Sequence, residues 1–132
     1  MRKPDFIIGD NYMHRWWIIP RNKYFNIYLH KIMHDDDDRA LHCHPWWSLS
    51  ILLKGKLREV LKDRTRTPRR FIPLLRSAKL AHRLEVVQGP VWTLFITGPV
   101  IREWGFHCPK GWRHWKEFVD QRDAGKVGKG CD

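Results

Sequence analysis

The chain has 132 residues, the length of one domain, and no internal change in composition indicates a second. Apolar residues make up 42% of it and include eight tryptophans, so one core can be filled without disulfide staples. Lysine and arginine number 25 against 14 acidic residues, a net charge of +11. This balance favours polyanions or small anionic molecules as partners.

The cellular compartment is predicted from what the sequence lacks. The N-terminus has no charged segment followed by an apolar one, and no apolar run reaches the roughly 18 residues of a membrane-spanning helix. Three cysteines, Cys43, Cys108 and Cys131, are an odd and sparse set, more typical of a reducing compartment than of a disulfide framework. We therefore expect a cytoplasmic protein with no membrane partner.

Strands dominate the first half of the chain. Residues 1–22 mix apolar residues with breakers, and 24–33 (YFNIYLHKIM) are rich in aromatic and branched residues, which predicts a strand. Residues 41–53 predict a long strand. Gly55 then supplies the backbone freedom of a tight turn, and 56–61 are expected to pair back as the second strand of a hairpin.

The second half continues the same pattern. A charged loop leads to three short strands, with a Gly-Pro turn between the last two, and these strands cover 71–75, 80–87 and 91–97. Near the C-terminus, Trp112, Trp115 and Val119 stand at helical spacing and predict a short helix over 111–119. Many short strands separated by glycine and proline indicate an all-β sandwich or barrel.

The domain organisation follows from these elements. We expect one β-barrel domain over residues 1–123. The remaining residues, 124–132, have too few apolar side chains to bury and predict a disordered tail.

Two histidines on the long strand carry the clearest chemical signal. Side chains at i and i+2 of a strand point to the same face, so His42 and His44 project together while Cys43 faces the other way. Imidazole–metal bonds of about 2.0–2.1 Å require such convergence. By itself the pair is more often incidental than ligating. His82, on a later strand, would complete a three-histidine site with open positions for water or substrate.

The histidine spacing resembles the two-motif signature of the cupin superfamily, in which HxH, a spacer and a glycine precede a single histidine on a later strand. Two segments, YLHKIMHDDDDRALHCHPWW and WTLFITGPVIREWGFHCPKGW, are similar to small cupin-like proteins of phages and bacteria. The resemblance implies a cupin-type (double-stranded β-helix) barrel, metal ligands at His42, His44 and His82, and a homodimer. A phage-encoded protein would act in the host cytoplasm. No reaction is implied.

One position departs from the cupin pattern. The usual first motif carries a glutamate four or five residues after its second histidine, where this chain has Ser48 and Leu49. The site is therefore more similar to the all-histidine arrangement of thiol dioxygenases. Three neutral imidazoles leave a bound ion its full double charge. Glu59 is a candidate fourth ligand or general base, and the alternative is a residue at the surface or the edge of the hairpin.

Two further candidates lie on the strand at 24–33. Tyr28 and His30 share a strand face with Asn26. They are candidates to line the pocket and orient substrate, and equally to be core groups with satisfied hydrogen bonds.

Two functional hypotheses result. The first is a metal-dependent enzyme of oxygenase or isomerase type, with Fe(II), or else Zn, Ni or Mn, acting on a small anionic substrate. Arg76, Lys79 or Arg83 near the mouth of the barrel would attract the anion. The second is a non-catalytic basic module that engages nucleic acid weakly or binds a protein partner. Exposed tryptophans would support single-strand binding.

Overall fold

The computed structural model describes residues 2–9, 11–35, 41–108, 110–119 and 130–131. Within these ranges, ten strands form one curled sheet and a single short helix follows them. The strands are β1 (Phe6–Ile8), β2 (Met13–Trp17), β3 (Asn26–Ile32), β4 (Leu41–His42), β5 (Ser48–Leu61), β6 (Thr65–Arg66), β7 (Leu74–Arg76), β8 (His82–Thr97), β9 (Gly105–Cys108) and β10 (Gly111–His114). Helix α1 covers Trp115–Phe118. The predicted all-β class and the short C-terminal helix are both confirmed.

Two long strands, β5 and β8, organise the sheet. They pair antiparallel along their whole length, from Ser48 opposite Thr97 to Leu61 opposite His82. On the other edge of β8, β3 pairs with its second half and β4 with its first residue. The sheet continues through β2 and β1 beyond β3, and through β9 and β10 beyond β4. Residues far apart in the sequence therefore share one interior face.

The hairpin predicted at Gly55 is wrong, and so is the Gly-Pro turn at 89–90. β5 runs through Gly55 and β8 runs through both turn residues, with shifts of register between the two strands at this point. Gly55 has a φ of +89°, and a Cβ there would lie 2.8 Å from the backbone oxygen of Gln88. Glycine thus permits a close approach of two continuing strands, and irregularities of this kind bend a sheet instead of reversing the chain.

The predicted helix over 111–119 is shorter than expected. Its first residues form β10, which pairs with β9, so Trp112 lies on a strand. Helix α1 begins at Trp115, after His114, whose Nδ1 accepts a hydrogen bond from the backbone nitrogen of Lys116 at 3.2 Å. In the described part of the chain, no helix is long and apolar enough to cross a bilayer.

The predicted disordered tail lies mostly outside the described residues, which include only Gly130 and Cys131 of it. The backbone nitrogen of Gly130 donates to the oxygen of Phe118 at 3.0 Å, and Cys131 forms a disulfide with Cys108. The expectation of reduced cysteines is therefore wrong for this pair. Folding brings their Cα atoms to 5.4 Å across a sequence separation of 23, a contact that cysteine spacing alone does not reveal.

Two apolar clusters pack inside the curled sheet. One joins strands on both sides of the bend and contains Tyr12, Met13, Ile32, Leu52, Leu57 and Val91. The other contains Phe106, Phe118 and Val119, so it connects α1 to β9. Members of both clusters contribute to the walls of one cavity, which is also lined by arginine and histidine side chains.

Candidate metal centre

Three imidazoles meet on the inner wall of the cavity. β4 supplies His42, the segment that follows supplies His44, and β8 supplies His82, which pairs directly with His42. The ring centroids of His42 lie 5.0 Å from those of His44 and 4.9 Å from those of His82, and His44 lies 4.9 Å from His82. One ligand nitrogen from each ring lies within 4.8 Å of the others. The fold thus brings together the three histidines that the sequence singled out.

The backbone around Cys43 explains why its neighbours project together. The backbone nitrogen of Cys43 donates to Gly105 at 3.0 Å on one side, and that of His44 donates to Ala78 at 3.1 Å on the other. The segment therefore stays extended beyond the end of β4, and the alternation of side chains continues. The thiol of Cys43 is buried against Gly105, whose backbone nitrogen donates to Sγ at 3.3 Å. It does not join the imidazoles.

The donor set fits a divalent transition metal. Imidazole nitrogen suits iron, zinc and nickel. Two nitrogens bonded to one ion at about 2.1 Å lie about 3.0–3.4 Å apart, so small ring rotations would close the site. Burial lowers the pKa of His44 well below its usual range, and the nearby His42 and His82 lower it further. His44 is therefore neutral near pH 7, the state in which imidazole binds a metal.

Glu59 lies behind the triad, neither at the surface nor at a sheet edge. It stands near the end of β5, where this strand runs between β6 and β8, and its side chain is fully buried. Its Oε2 accepts hydrogen bonds from Nδ1 of His82 and Nε of Arg76, both at 2.5 Å. Its Oε1 accepts from Nε of Arg66. It is not among the clustered ligand groups.

The neighbours of Glu59 keep it ionised. Burial raises the pKa of this carboxyl group, but the hydrogen bond to His82 and the charge of Arg76 outweigh it, and the pKa lies well below its usual range. An ionised carboxylate only accepts hydrogen bonds, so Nδ1 of His82 carries the proton. The Nε2 atom of His82 then remains as its ligand atom. A carboxylate partner of this kind orients a ligating histidine and raises its basicity.

His30 and Tyr28 take different positions. His30 lines the cavity, whereas Tyr28 is not part of the wall and stacks on His30 with ring centroids 5.7 Å apart. Nε of Arg15 donates to Nε2 of His30 at 2.9 Å. Burial, and then the charge of Arg15, lower the pKa of His30 well below its usual range. His30 is therefore a neutral, buried hydrogen-bond acceptor.

The state of His30 predicts how stability depends on pH. In the unfolded chain its pKa is about 6.5, so below that pH the unfolded state binds a proton that the folded state excludes. We expect the free energy of unfolding to fall as the pH drops below about 6.5, by up to about 1.4 kcal/mol per pH unit from this group. Urea unfolding of metal-free protein between about pH 7.5 and 5 measures the slope.

The variant His30→Gln isolates this contribution, because His44 titrates in the same direction and remains in both proteins. The amide oxygen of glutamine can still accept the hydrogen bond from Arg15. The variant should show a shallower pH dependence than the wild type. Equal slopes would mean that His30 is not held neutral by the fold.

The basic residues expected at the mouth are distributed differently from the prediction. Only Arg76 lines the cavity, where it is buried and paired with Glu59. Lys79 is exposed, and Arg83 pairs with Glu85 at 2.7 Å, so neither contributes to the wall. Arg15, which the sequence did not single out, does line the cavity. The signal was a single arginine on a strand of apolar and aromatic residues (MHRWW).

The cavity has a volume of about 390 Å³, which suits a small molecule rather than a polymer. Aromatic rings form a continuous wall from His30 to His44 of the triad. Phe95 lies 5.0 Å from His30 and 5.7 Å from Trp46, measured between ring centroids, and Trp46 stacks on His44 at 4.8 Å. A ligand inside the cavity would therefore lie along an aromatic wall, with Arg15 and His30 at one end and the histidine triad at the other.

The tryptophans do not favour a nucleic-acid surface. Six of the eight are buried or half-buried, and only Trp47 and Trp112 are exposed, by 39% and 48%. Single-strand binders use exposed aromatic rings as stacking platforms. Most of these rings serve instead as packing residues and cavity wall.

Comparison with known proteins identifies folds of the same kind. A Klebsiella pneumoniae protein with a double-stranded β-helix domain matches with a TM-score of 0.57 and 11% identity, over 74% of this chain and 86% of that one. A cupin superfamily protein from Desulfitobacterium hafniense matches with a TM-score of 0.56 and 15% identity, over 74% and 84%. The protein FeII HppE matches with a TM-score of 0.54 and 14% identity, over 69% of this chain and 53% of its own.

No protein-family model matches the chain, and neither does any curated protein at the level of sequence. The narrower resemblance to phage proteins therefore gains no support from these comparisons. At identities below 20%, the structural matches establish the fold alone.

Proposed function

Because this chain has the double-stranded β-helix fold of the cupin superfamily, we propose that it is a metal-dependent enzyme acting on a small anionic molecule inside the barrel. His42, His44 and His82 would hold one divalent ion. The observation that carries this proposal is the convergence of three imidazoles on the wall of a 390 Å³ cavity. Sites of this kind, with three protein ligands, keep positions open for water or substrate.

Fe(II) is the preferred ion, with Zn, Ni or Mn as alternatives. A ligand set of nitrogen atoms alone is compatible with several of these metals, so the donor atoms do not select one. The neighbouring protein HppE contains Fe(II), which supports iron as the first choice. When bound, the ion would supply Lewis acidity for a substrate atom, or redox chemistry if it is iron.

The residues of this chain account for the other requirements of such a site. Glu59 fixes the orientation of His82, and Arg76 and Arg66 hold Glu59 in turn. Ser50 and Thr93 add hydroxyl groups to the wall, and Trp46 and Phe95 add two aromatic rings in contact with each other. An oxygenase- or isomerase-type reaction is the class we propose.

Metal content tests the proposal directly. Protein purified without chelator, or reconstituted with Fe(II) under anaerobic conditions, is expected to bind about one equivalent of metal per chain, because three convergent imidazoles form one site. Mass spectrometry of the metal and calorimetric titration measure the stoichiometry. Failure to bind Fe(II), Zn, Ni or Mn above background after reconstitution would contradict the proposal.

A further inference from the structure

The cavity contains one positive charge that the described residues do not neutralise. Two arginines line it, and Arg76 is paired with Glu59. Arg15 is different, because in the described part of the chain its guanidinium has no carboxylate partner. Among the described residues that line the cavity, none is an aspartate or a glutamate.

The described contacts of Arg15 are to an imidazole and an aromatic ring, neither of which carries a negative charge. Its Nε donates to the neutral His30, and its guanidinium carbon lies 4.3 Å from the centre of the Tyr28 ring. A cation over an aromatic face is attracted to it, so Tyr28 supports the guanidinium from one side. Among the described residues, no hydrogen bond uses the two terminal nitrogens of Arg15, so both can serve a ligand. Burial lowers the pKa of Arg15 from its usual value, a cost that a bound anion would offset.

We propose that Arg15, positioned by His30 and Tyr28, binds the carboxylate of a small monocarboxylic acid whose flat or apolar body lies along Phe95 and Trp46 toward the histidine triad. This carboxylate site deepens the proposed function. It rests on that function in one respect only, which is that the bound acid is taken to be the substrate. The two terminal nitrogens of a guanidinium match the two oxygens of a carboxylate.

The single positive charge of Arg15 favours a monoanionic ligand over a phosphate ester. A buried ion is stabilised when its charge is balanced, and Arg15 offers a single positive charge at this end of the cavity. A phosphate monoester carries close to two negative charges at neutral pH, so a second cation would be required beside it. Arg76 does not meet this need, since Glu59 already pairs with it.

Benzoate is the probe that tests this site. It carries one carboxylate on a flat apolar ring, and benzamide is its neutral counterpart of the same shape. Calorimetric titration of metal-free, full-length protein is expected to give tighter binding of benzoate than of benzamide, by about 10- to 100-fold, the range for hydrogen bonds to a charged group. Phenyl phosphate, titrated in parallel, should bind more weakly than benzoate.

Three variants test whether Arg15 causes the preference for benzoate over benzamide. Arg15→Gln should lose the preference for benzoate over benzamide, and Arg15→Lys should retain only part of it because an ammonium lacks the paired geometry. Arg58→Gln removes an exposed arginine that pairs with Glu85 outside the cavity wall, and it should bind as the wild type does. Thermal unfolding of each variant shows whether it is folded.

The metal-free measurement separates this inference from the proposed function. If the protein binds no metal but still prefers benzoate through Arg15, the proposed function fails and the carboxylate site stands. If metal binds but folded Arg15→Gln prefers benzoate as strongly as the wild type, the carboxylate site is overturned. The carboxylate site is also overturned if no binding of benzoate is detected at concentrations up to about 10 mM, because specific sites have much lower dissociation constants. It is overturned as well if phenyl phosphate binds more tightly than benzoate and this binding depends on Arg15.

Discussion

Replacing Glu59 with glutamine is expected to lower the free energy of unfolding by about 3–5 kcal/mol, the range for breaking a buried ion pair from one side. The carboxylate is completely buried and accepts hydrogen bonds from two arginines and a histidine. Glutamine keeps the shape but removes the charge, so Arg76, whose side chain is 4% exposed, would remain as an uncompensated buried cation. Urea unfolding at pH 7 measures the change.

Glu85→Gln is the matched control. Glu85 also pairs with two arginines, Arg58 and Arg83, but its side chain is 24% exposed and one partner is mostly in solvent. Solvent-exposed pairs contribute about 0–1 kcal/mol, so this variant should remain close to the wild type. If the free energy of unfolding of Glu59→Gln lies within about 1 kcal/mol of the wild-type value, Glu59 is not the buried counter-charge of Arg76.

A second measurement on Glu59→Gln concerns the metal. Loss of a carboxylate partner from a ligating histidine commonly weakens metal binding by about 10- to 100-fold. Calorimetric titration with zinc should show this weakening while the stoichiometry stays at one ion per chain. The two measurements distinguish a role in orienting His82 from a role in stability alone.

Replacing His82 with alanine is expected to abolish most metal binding. Only His42 and His44 would remain of the clustered ligand groups, and two imidazoles rarely hold an ion against water and buffer. The substitution also removes one hydrogen bond from Glu59, which still has Arg66 and Arg76 as partners. Metal content after reconstitution, measured by mass spectrometry, should fall from about one equivalent to near background.

Two controls distinguish this loss from general damage. Cys43→Ser keeps an acceptor for the backbone nitrogen of Gly105 and removes the only free thiol among the described residues, so it should bind metal as the wild type does. His107→Ala removes an exposed histidine on β9 that is not part of the cluster. Retention of a full equivalent by His82→Ala would refute the assigned site.

The histidine triad could be anticipated from sequence because part of it is local. Alternation along an extended segment places His42 and His44 on one face whatever the rest of the chain does. The spacing to His82 became informative through its resemblance to a family signature. Alternation also placed Tyr28 and His30 on one interior face. Their separate roles, packing for Tyr28 and cavity wall for His30, depended on neighbouring strands.

The bend at Gly55 could not be read from the sequence. A glycine between two apolar runs is typical of a hairpin, and it equally permits two strands to continue through a close crossing. The choice depended on β8, which begins more than twenty residues later and pairs with both halves of β5. Because β5 does not reverse there, Glu59 lies beneath the triad instead of at an edge.

The sequence by itself determined the all-β class, the extended histidine pair and the positive charge of the chain. The tertiary structure alone decided which charged side chains form pairs and which line the cavity. Glu59 meets Arg66, Arg76 and His82 across separations of 7, 17 and 23 residues, and Arg15 meets His30 across 15. Periodicity tells which face a side chain occupies, but its partner on that face is set by strand pairing between distant segments, which local sequence does not specify.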